Sequence, residues 1–214
     1  MRQFLLILGI LFLFAAGASA MSATPPVPEN LRFDILRDGS PIGTATMLVR
    51  RDGTGTAATT DIRIQVKFGF VTLYRFDRTE SERWSGGHFA TFTSHTDDNG
   101  TVHDVSARLD GNGISVDADG KVAKVNSSAI PASAWNPALV NAPSALDPDN
   151  GDVLPLQVVD RGDERIEVLG RPVTAHRYAI KGKLAEDVWY DLSGRLVRVE
   201  LRGRDGSDIE YRPK

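Results

Sequence analysis

Few side chains in this sequence have the types and spacings that perform chemistry. Four are histidines, His88, His95, His103 and His176. An imidazole can switch charge near neutral pH or ligate a metal, but either use needs a placed partner. His88 and His176 have no partner at ligand spacing. Glu80 and Glu82 lie two residues apart beside Trp84, and paired carboxylates near an aromatic ring are the components of glycoside hydrolysis. The plainer reading, and the preferred one, is a solvated strand end flanked by Arg78 and Arg83. Asp147-Pro148-Asp149-Asn150-Gly151-Asp152 alternates oxygens like a calcium loop but lacks the distal bidentate glutamate. Asp110-Gly111-Asn112 and Asp117-Ala118-Asp119 lack it too. All three read as turns in which Asp and Asn accept local backbone hydrogen bonds. No serine sits in a Gly-x-Ser-x-Gly elbow, no glycine-rich run has phosphate-loop spacing, and cysteine is absent. The expectation is a protein that is not an enzyme and uses neither cofactor nor metal.

The elements that position these residues are strands. From residue 31 onward, apolar and polar residues alternate between closely spaced turn signals, among them Asp38-Gly39, Asn99-Gly100, Asp119-Gly120 and Ser193-Gly194. A two-residue loop at Asn99-Gly100 pairs Asp98 with Thr101 and Phe92 with Ala107. One face then carries Ala90, Phe92, Ser94, Thr96, His103, Val105, Ala107 and Leu109. His95 falls on the opposite face near Asp104, an exposed pair of little energetic weight. Because His95 and His103 point to opposite faces, they do not share a metal. A second hairpin spans 185–202 with a three-residue loop, Leu192-Ser193-Gly194. Its Gly194 takes the left-handed position, Asp191 faces Arg195, and Trp189, Val197, Val199 and Leu201 share a face. Ile62, Ile64, Val66, Phe68, Phe70, Tyr74 and Phe76 all occupy even positions. That pattern fits either one long bulged strand or two strands meeting at Gly69. Residues 126–150 break the β pattern, and Asn136 can cap a short helix opened by Pro137 that lies across the sheet.

Arg2, the apolar run Phe4–Ala16 and Ala18-Ser19-Ala20 form the pattern of a secretory signal peptide cleaved after Ala20. The apolar stretch is shorter than a membrane span, so no span is expected in the exported part. Without cysteine there is no lipoprotein acylation and no disulfide. Three prolines in 21–30 mark a tether, leaving one β domain over 31–214. Lys and Arg total 25 against 28 Asp and Glu, a net charge of −3, with neither sign in a block. Nucleic acid is therefore not an expected partner. The location read from the leader is periplasmic or secreted.

Several clusters together carry a family resemblance. They are Phe33-Asp34-Ile35 with Asp38-Gly39 and Ile42-Gly43; Trp84 with Gly86-Gly87; Thr96-Asp97-Asp98-Asn99-Gly100; Trp135-Asn136-Pro137-Ala138-Leu139; and Trp189-Tyr190-Asp191 with Gly194-Arg195-Leu196-Val197. Over residues 30–212 the chain resembles an uncharacterised family of exported proteobacterial proteins, a domain of unknown function. From Val168 through the Trp189 hairpin it is also similar in style to periplasmic half-barrels of the lipoprotein-carrier type. That similarity implies a curved sheet with an apolar concave face, although this chain has little helix to close the opening.

The expected fold is all-β: a single curved antiparallel sheet, a half-barrel-like meander with one short helical segment near 130–145. The leading functional expectation is that a lipid or other apolar ligand sits on the concave face. Phe92 and Val105 would line it, His103 would meet a head group, and Trp135 would flank the pocket. As packing residues the same side chains would simply fill the core. The alternatives are an envelope interaction module with a filled core and an envelope enzyme acting on glycans or lipids.

Overall fold

The structure is a computed structural model that describes residues 29–214. The leader and most of the Pro-rich tether lie outside the described residues. The tether's last residues, Glu29 and Asn30, already belong to the first strand.

Thirteen strands form one antiparallel sheet. In chain order the first eight are β1 (Glu29–Arg37), β2 (Ser40–Asp52), β3 (Gly55–Phe68), β4 (Val71–Ser85), β5 (His88–Asp98), β6 (Thr101–Asp110), β7 (Gly113–Ala118) and β8 (Lys121–Asn126). After an insert come β12 (Gln157–Val168), β13 (Arg171–Lys181), β14 (Glu186–Asp191), β15 (Leu196–Arg202) and β16 (Asp208–Pro213). Their spatial order is β12-β13-β14-β15-β16-β1-β2-β3-β4-β5-β6-β7-β8. Two meanders are thus joined where the last strand pairs with the first, Phe33 opposite Pro213. The Lys214 side chain closes this seam with a 2.8 Å bond to Asp34.

The insert is β9 (Ala129–Pro131), a 3₁₀ helix over Pro137–Asn141, β10 (Ser144–Leu146) and β11 (Val153–Pro155), a small separate sheet. Asn136 caps the helix as expected, accepting the Ala138 N–H at 3.0 Å. Ala129, Trp135, Leu139, Val140, Ala145 and Leu146 from this insert belong to the same buried cluster as Phe33, Met47, Phe92, Val116, Val188 and Leu196. Side chains from strands far apart in the sheet meet there, so the sheet is curled around a common interior and the insert plugs it.

Local registers agree with turn chemistry. Asp98 pairs with Thr101 and Phe92 with Ala107. Gly194 has φ +81°, and Asp191 and Arg195 meet through a 2.9 Å backbone bond. At Gly69-Phe70 the chain turns, so residues 62–84 are two strands rather than one. The expected face of the second hairpin needs correction. A bulge shifts the pairing from Tyr190↔Leu196 to Trp189↔Arg198. Val188, Tyr190, Leu196 and Val199 therefore enter the main core. Trp189 and Val197 pack on the other face with Ile166 and Ala175. There Arg177 and Arg198 cover the Trp189 ring at 4.9 and 5.5 Å. One extra residue in one strand moves every later side chain across the sheet, which is why this error propagates. Leu109, placed on the inner face, lies at a strand end and is exposed.

Candidate functional site

From Tyr74 onward the even-numbered residues of β4 point into the curl, and these include both glutamates. Glu80 is 3% and Glu82 1% exposed, so the solvated strand end expected from the sequence is overturned. The signal was present: Phe76, Arg78, Glu80, Glu82 and Trp84 alternate with Asp77, Thr79, Ser81 and Arg83. Alternation alone does not tell which of these two faces a curled sheet turns inward.

The two carboxylates do different things. Glu82 is a sealed structural hub. Its Oε2 accepts Trp84 Nε1–H at 2.9 Å, and its Oε1 accepts Trp135 Nε1–H at 3.0 Å and the Ser133 hydroxyl. The two indoles meet edge-on at 6.4 Å. Burial raises the Glu82 pKa even though all three donors pull it down. Through Ser133 and Trp135 this carboxylate ties the plug to the sheet wall. The Tyr190 hydroxyl adds a second tie, donating to the Ala134 carbonyl at 2.8 Å.

Glu80 opens instead onto a cavity of about 400 Å³ inside the curl. Its apolar lining includes Met47, Ile62, Ile64, Phe76, Val199 and Leu201. Set among these are Arg78, Glu80, Asp149, Glu186, Tyr74 and Tyr211, with Ile62 paired to Arg78, Leu201 to Glu186 and Val199 to Tyr211. Arg78 is the centre of that group, with Nε 2.8 Å from Glu80 and a guanidinium nitrogen 3.0 Å from Asp149. Thr96 donates to the same Asp149 oxygen at 3.1 Å. Burial alone would lower the Arg78 pKa, but Glu80 and Asp149 outweigh it and hold the guanidinium charged. Burial pushes Glu80 up to about 7 against the pull of Arg78. Glu186 is likewise pushed by burial up to about 7. The Tyr211 and Tyr74 phenols rise to about 12, both chiefly by burial. Both phenols therefore stay protonated at neutral pH, able to donate and accept. Such a chamber can hold a molecule with an apolar body and a polar end.

Of the residues picked from the sequence, Trp135 lines this cavity. Phe92 and Val105 are sealed in the core and do not reach it. His103 stands outside it, its Nδ1 2.7 Å from Asp119, which raises the histidine pKa. The hairpin register had its faces right, but the sheet curls the chamber around β3 and β4 rather than around the Asn99 hairpin. His95 makes its expected exposed pair with Asp104 at 2.7 Å. His176 lies between Asp160 and Asp163, which raise its pKa. The Asp147–Asp152 segment is a set of local turns, with Asp149 N–H on Asp147 and Asp152 N–H on Asn150. Glu80 is a sequence candidate found at a different place than expected, whereas Arg78, Glu186 and Tyr211 are site residues that the sequence reading does not single out.

With this geometry in hand, comparison with known proteins settles the family. The DUF6134 model, a domain of unknown function, matches residues 33–214. The chain belongs to this family. Among curated proteins none matches it. Among solved structures, it is similar to a beta-barrel-like protein of the domain of unknown function DUF1849 from Brucella abortus. The TM-score is 0.61 at 12% identity, covering 90% of this chain and 98% of that one. At that identity the likeness concerns the fold, and it supports the barrel-like curl described here.

Proposed function

We propose that this DUF6134 protein is an exported, non-enzymatic binding protein that holds a small amphiphile, such as a lipid, inside its curled sheet. The apolar part of the ligand lies along Ile62, Val199 and Leu201, and its polar end meets Arg78, Glu80, Glu186 and Tyr211. The observation that carries this reading is the chamber of about 400 Å³ within the curl, lined by apolar side chains with charged and phenolic groups set among them. That volume lies within the roughly 300–1,000 Å³ of small-molecule sites. Export to the periplasm or beyond rests on the leader pattern of residues 1–20. An interaction module with a filled core would have no such chamber, and Glu82, sealed beneath two indoles, is no partner for Glu80 in glycoside hydrolysis.

The test is twofold. Extraction of the purified protein followed by mass spectrometry is expected to release an amphiphile. The apolar dye N-phenylnaphthylamine is expected to bind the emptied protein and to bind Leu201→Trp at least about tenfold more weakly, since the indole occupies the chamber. A protein that carries no amphiphile, and whose dye affinity survives Leu201→Trp with its circular dichroism unchanged, overturns the reading.

A further inference from the structure

The hairpin of β3 and β4 outruns the sheet. Strand β2 pairs with β3 only as far as Gly43↔Ile64. On the other side, β5 pairs with β4 only from Asp98↔Phe76. From Gln65 to Tyr74 the two strands' ladders therefore have only each other, the neighbouring hairpin last reaching β4 through the 2.8 Å bond from Asn99 N–H to the Arg75 carbonyl, and they project roughly 13 Å at about 3.3 Å per residue. The end of this ribbon is apolar. Phe68 is 79%, Val71 61% and Leu73 60% exposed, and Phe70 is fully exposed. A fold gains nothing from large apolar side chains held in water, so this cluster calls for a partner.

The register says what shape it presents. Phe68 pairs with Val71, and Lys67 with Thr72. Phe68 and Val71 continue the inner face of Ile64, Val66 and Tyr74. Leu73 is the extra residue of the bulge between Val66↔Tyr74 and Lys67↔Thr72, and Phe70 caps the turn. Apolar groups thus surround a tip only about 5 Å wide from strand to strand. A protein interface of about 800 Å² per partner needs a broad patch, which this tip does not offer. A fluid apolar phase can envelop it from all sides. Lys67, one residue behind Phe68, is placed at the depth of anionic head groups. The ribbon's unpaired outer edges forbid deep entry into hydrocarbon, so contact is confined to the boundary region, about 5–10 Å deep.

We infer that the β3–β4 tip is a membrane-docking element, with Phe68, Phe70, Val71 and Leu73 inserted shallowly into a bilayer surface. Ile64 and Tyr74, where the ribbon leaves the sheet, also line the chamber, so docking would bring that end of the chamber toward the lipid. The inference goes beyond the binding reading and stands without it, because vesicle association reads the tip whether or not the chamber is occupied.

The experiment is cosedimentation of the purified protein with vesicles of phosphatidylethanolamine and anionic phosphatidylglycerol. The protein is expected to sediment with them. The Phe68→Ser/Phe70→Ser double variant is expected to lose at least about tenfold in partition coefficient with an unchanged melting curve. Lys67→Glu is expected to weaken binding to these vesicles but not to phosphatidylcholine alone. The three native tryptophans are buried, so a Phe70→Trp variant supplies a local reporter whose emission should shift to the blue on vesicles. Lack of sedimentation of the unaltered protein overturns the inference, as does full binding by the double variant. Concentration-dependent dimers abolished by the serine pair, without vesicle binding, overturn it in favour of a second copy of this chain.

Discussion

Replacing Glu82 by glutamine tests whether one carboxylate holds the plug to the sheet. In the folded protein it receives Trp84 Nε1–H, Trp135 Nε1–H and the Ser133 hydroxyl. Glutamine keeps the volume and one accepting oxygen, which can serve Trp135 and Ser133. Its amide nitrogen then confronts the Trp84 N–H, donor against donor. The unsatisfied indole costs about 1–3 kcal/mol, and an amide N–H stranded in the core adds a similar amount. The expected loss is therefore about 2–6 kcal/mol, a large share of the roughly 5–15 kcal/mol that stabilises a typical domain. Glu82→Leu strands all three donors and should cost about 3–9 kcal/mol, enough to prevent folding in the worst case. Trp135→Phe removes one donor and leaves the carboxylate two, so it should cost less than Glu82→Gln. Urea unfolding followed by tryptophan fluorescence measures each, and a double-mutant cycle of Glu82→Gln with Trp135→Phe reads their coupling. If Glu82→Gln lies within about 0.5 kcal/mol of the unaltered protein, as an inert substitution would, the carboxylate is not what ties the plug down.

Other consequences follow from the same interior. Glu80 and Glu186 are each raised from 4.5 to about 7. A raised acid is neutral in both states at low pH and penalises only the folded state once ionised. Stability should thus fall as pH rises from about 4.5 through 7, by up to about 3 kcal/mol for each group. His103 and His176, also raised, act in the same direction. A melting temperature that is flat or rising from about pH 5 to 8 would contradict this, and Glu186→Gln should flatten the fall. Gly43→Ala should destabilise by about 1–3 kcal/mol, because its Cβ would stand 2.1 Å from the Arg63 carbonyl oxygen of the paired strand. Equal urea midpoints for the two proteins would show that β2 moves aside freely. Leu201→Trp should leave the fold intact while closing the chamber to apolar dye.

Much of the architecture was legible because its causes are local. Asn99-Gly100 dictates a two-residue turn, and that turn alone sets Phe92 against Ala107. The Leu192-Ser193-Gly194 loop formed as read, since only its own residues decide it. Asn136 followed by proline caps its helix from within four residues. The errors lie where a distant strand enters. The bulge beside Trp189 depends on how β15 accommodates β14 in a curled sheet, and it carried Trp189 to the opposite face. Glu80 and Glu82 alternate with period two, so their common face was correctly read. Which face turns inward was not, because charged residues on a strand are inward only when the fold supplies partners.

The sequence by itself determined that this is an all-β meander with a capped helical turn, because turn chemistry and two-residue alternation act between neighbours. Only the tertiary structure decided the interior. Glu82 meets Ser133 and Trp135 across more than fifty residues of chain. Arg78 likewise meets Asp149 from the insert, with Glu186 from the second meander lining the same chamber. A buried charge is stable only among such partners, and which partners it meets is fixed by the curl of the sheet. The exposed tip of β3 and β4 has the same origin: its strands are long in sequence, but it is their shorter neighbours that leave Phe68 and Phe70 in the open.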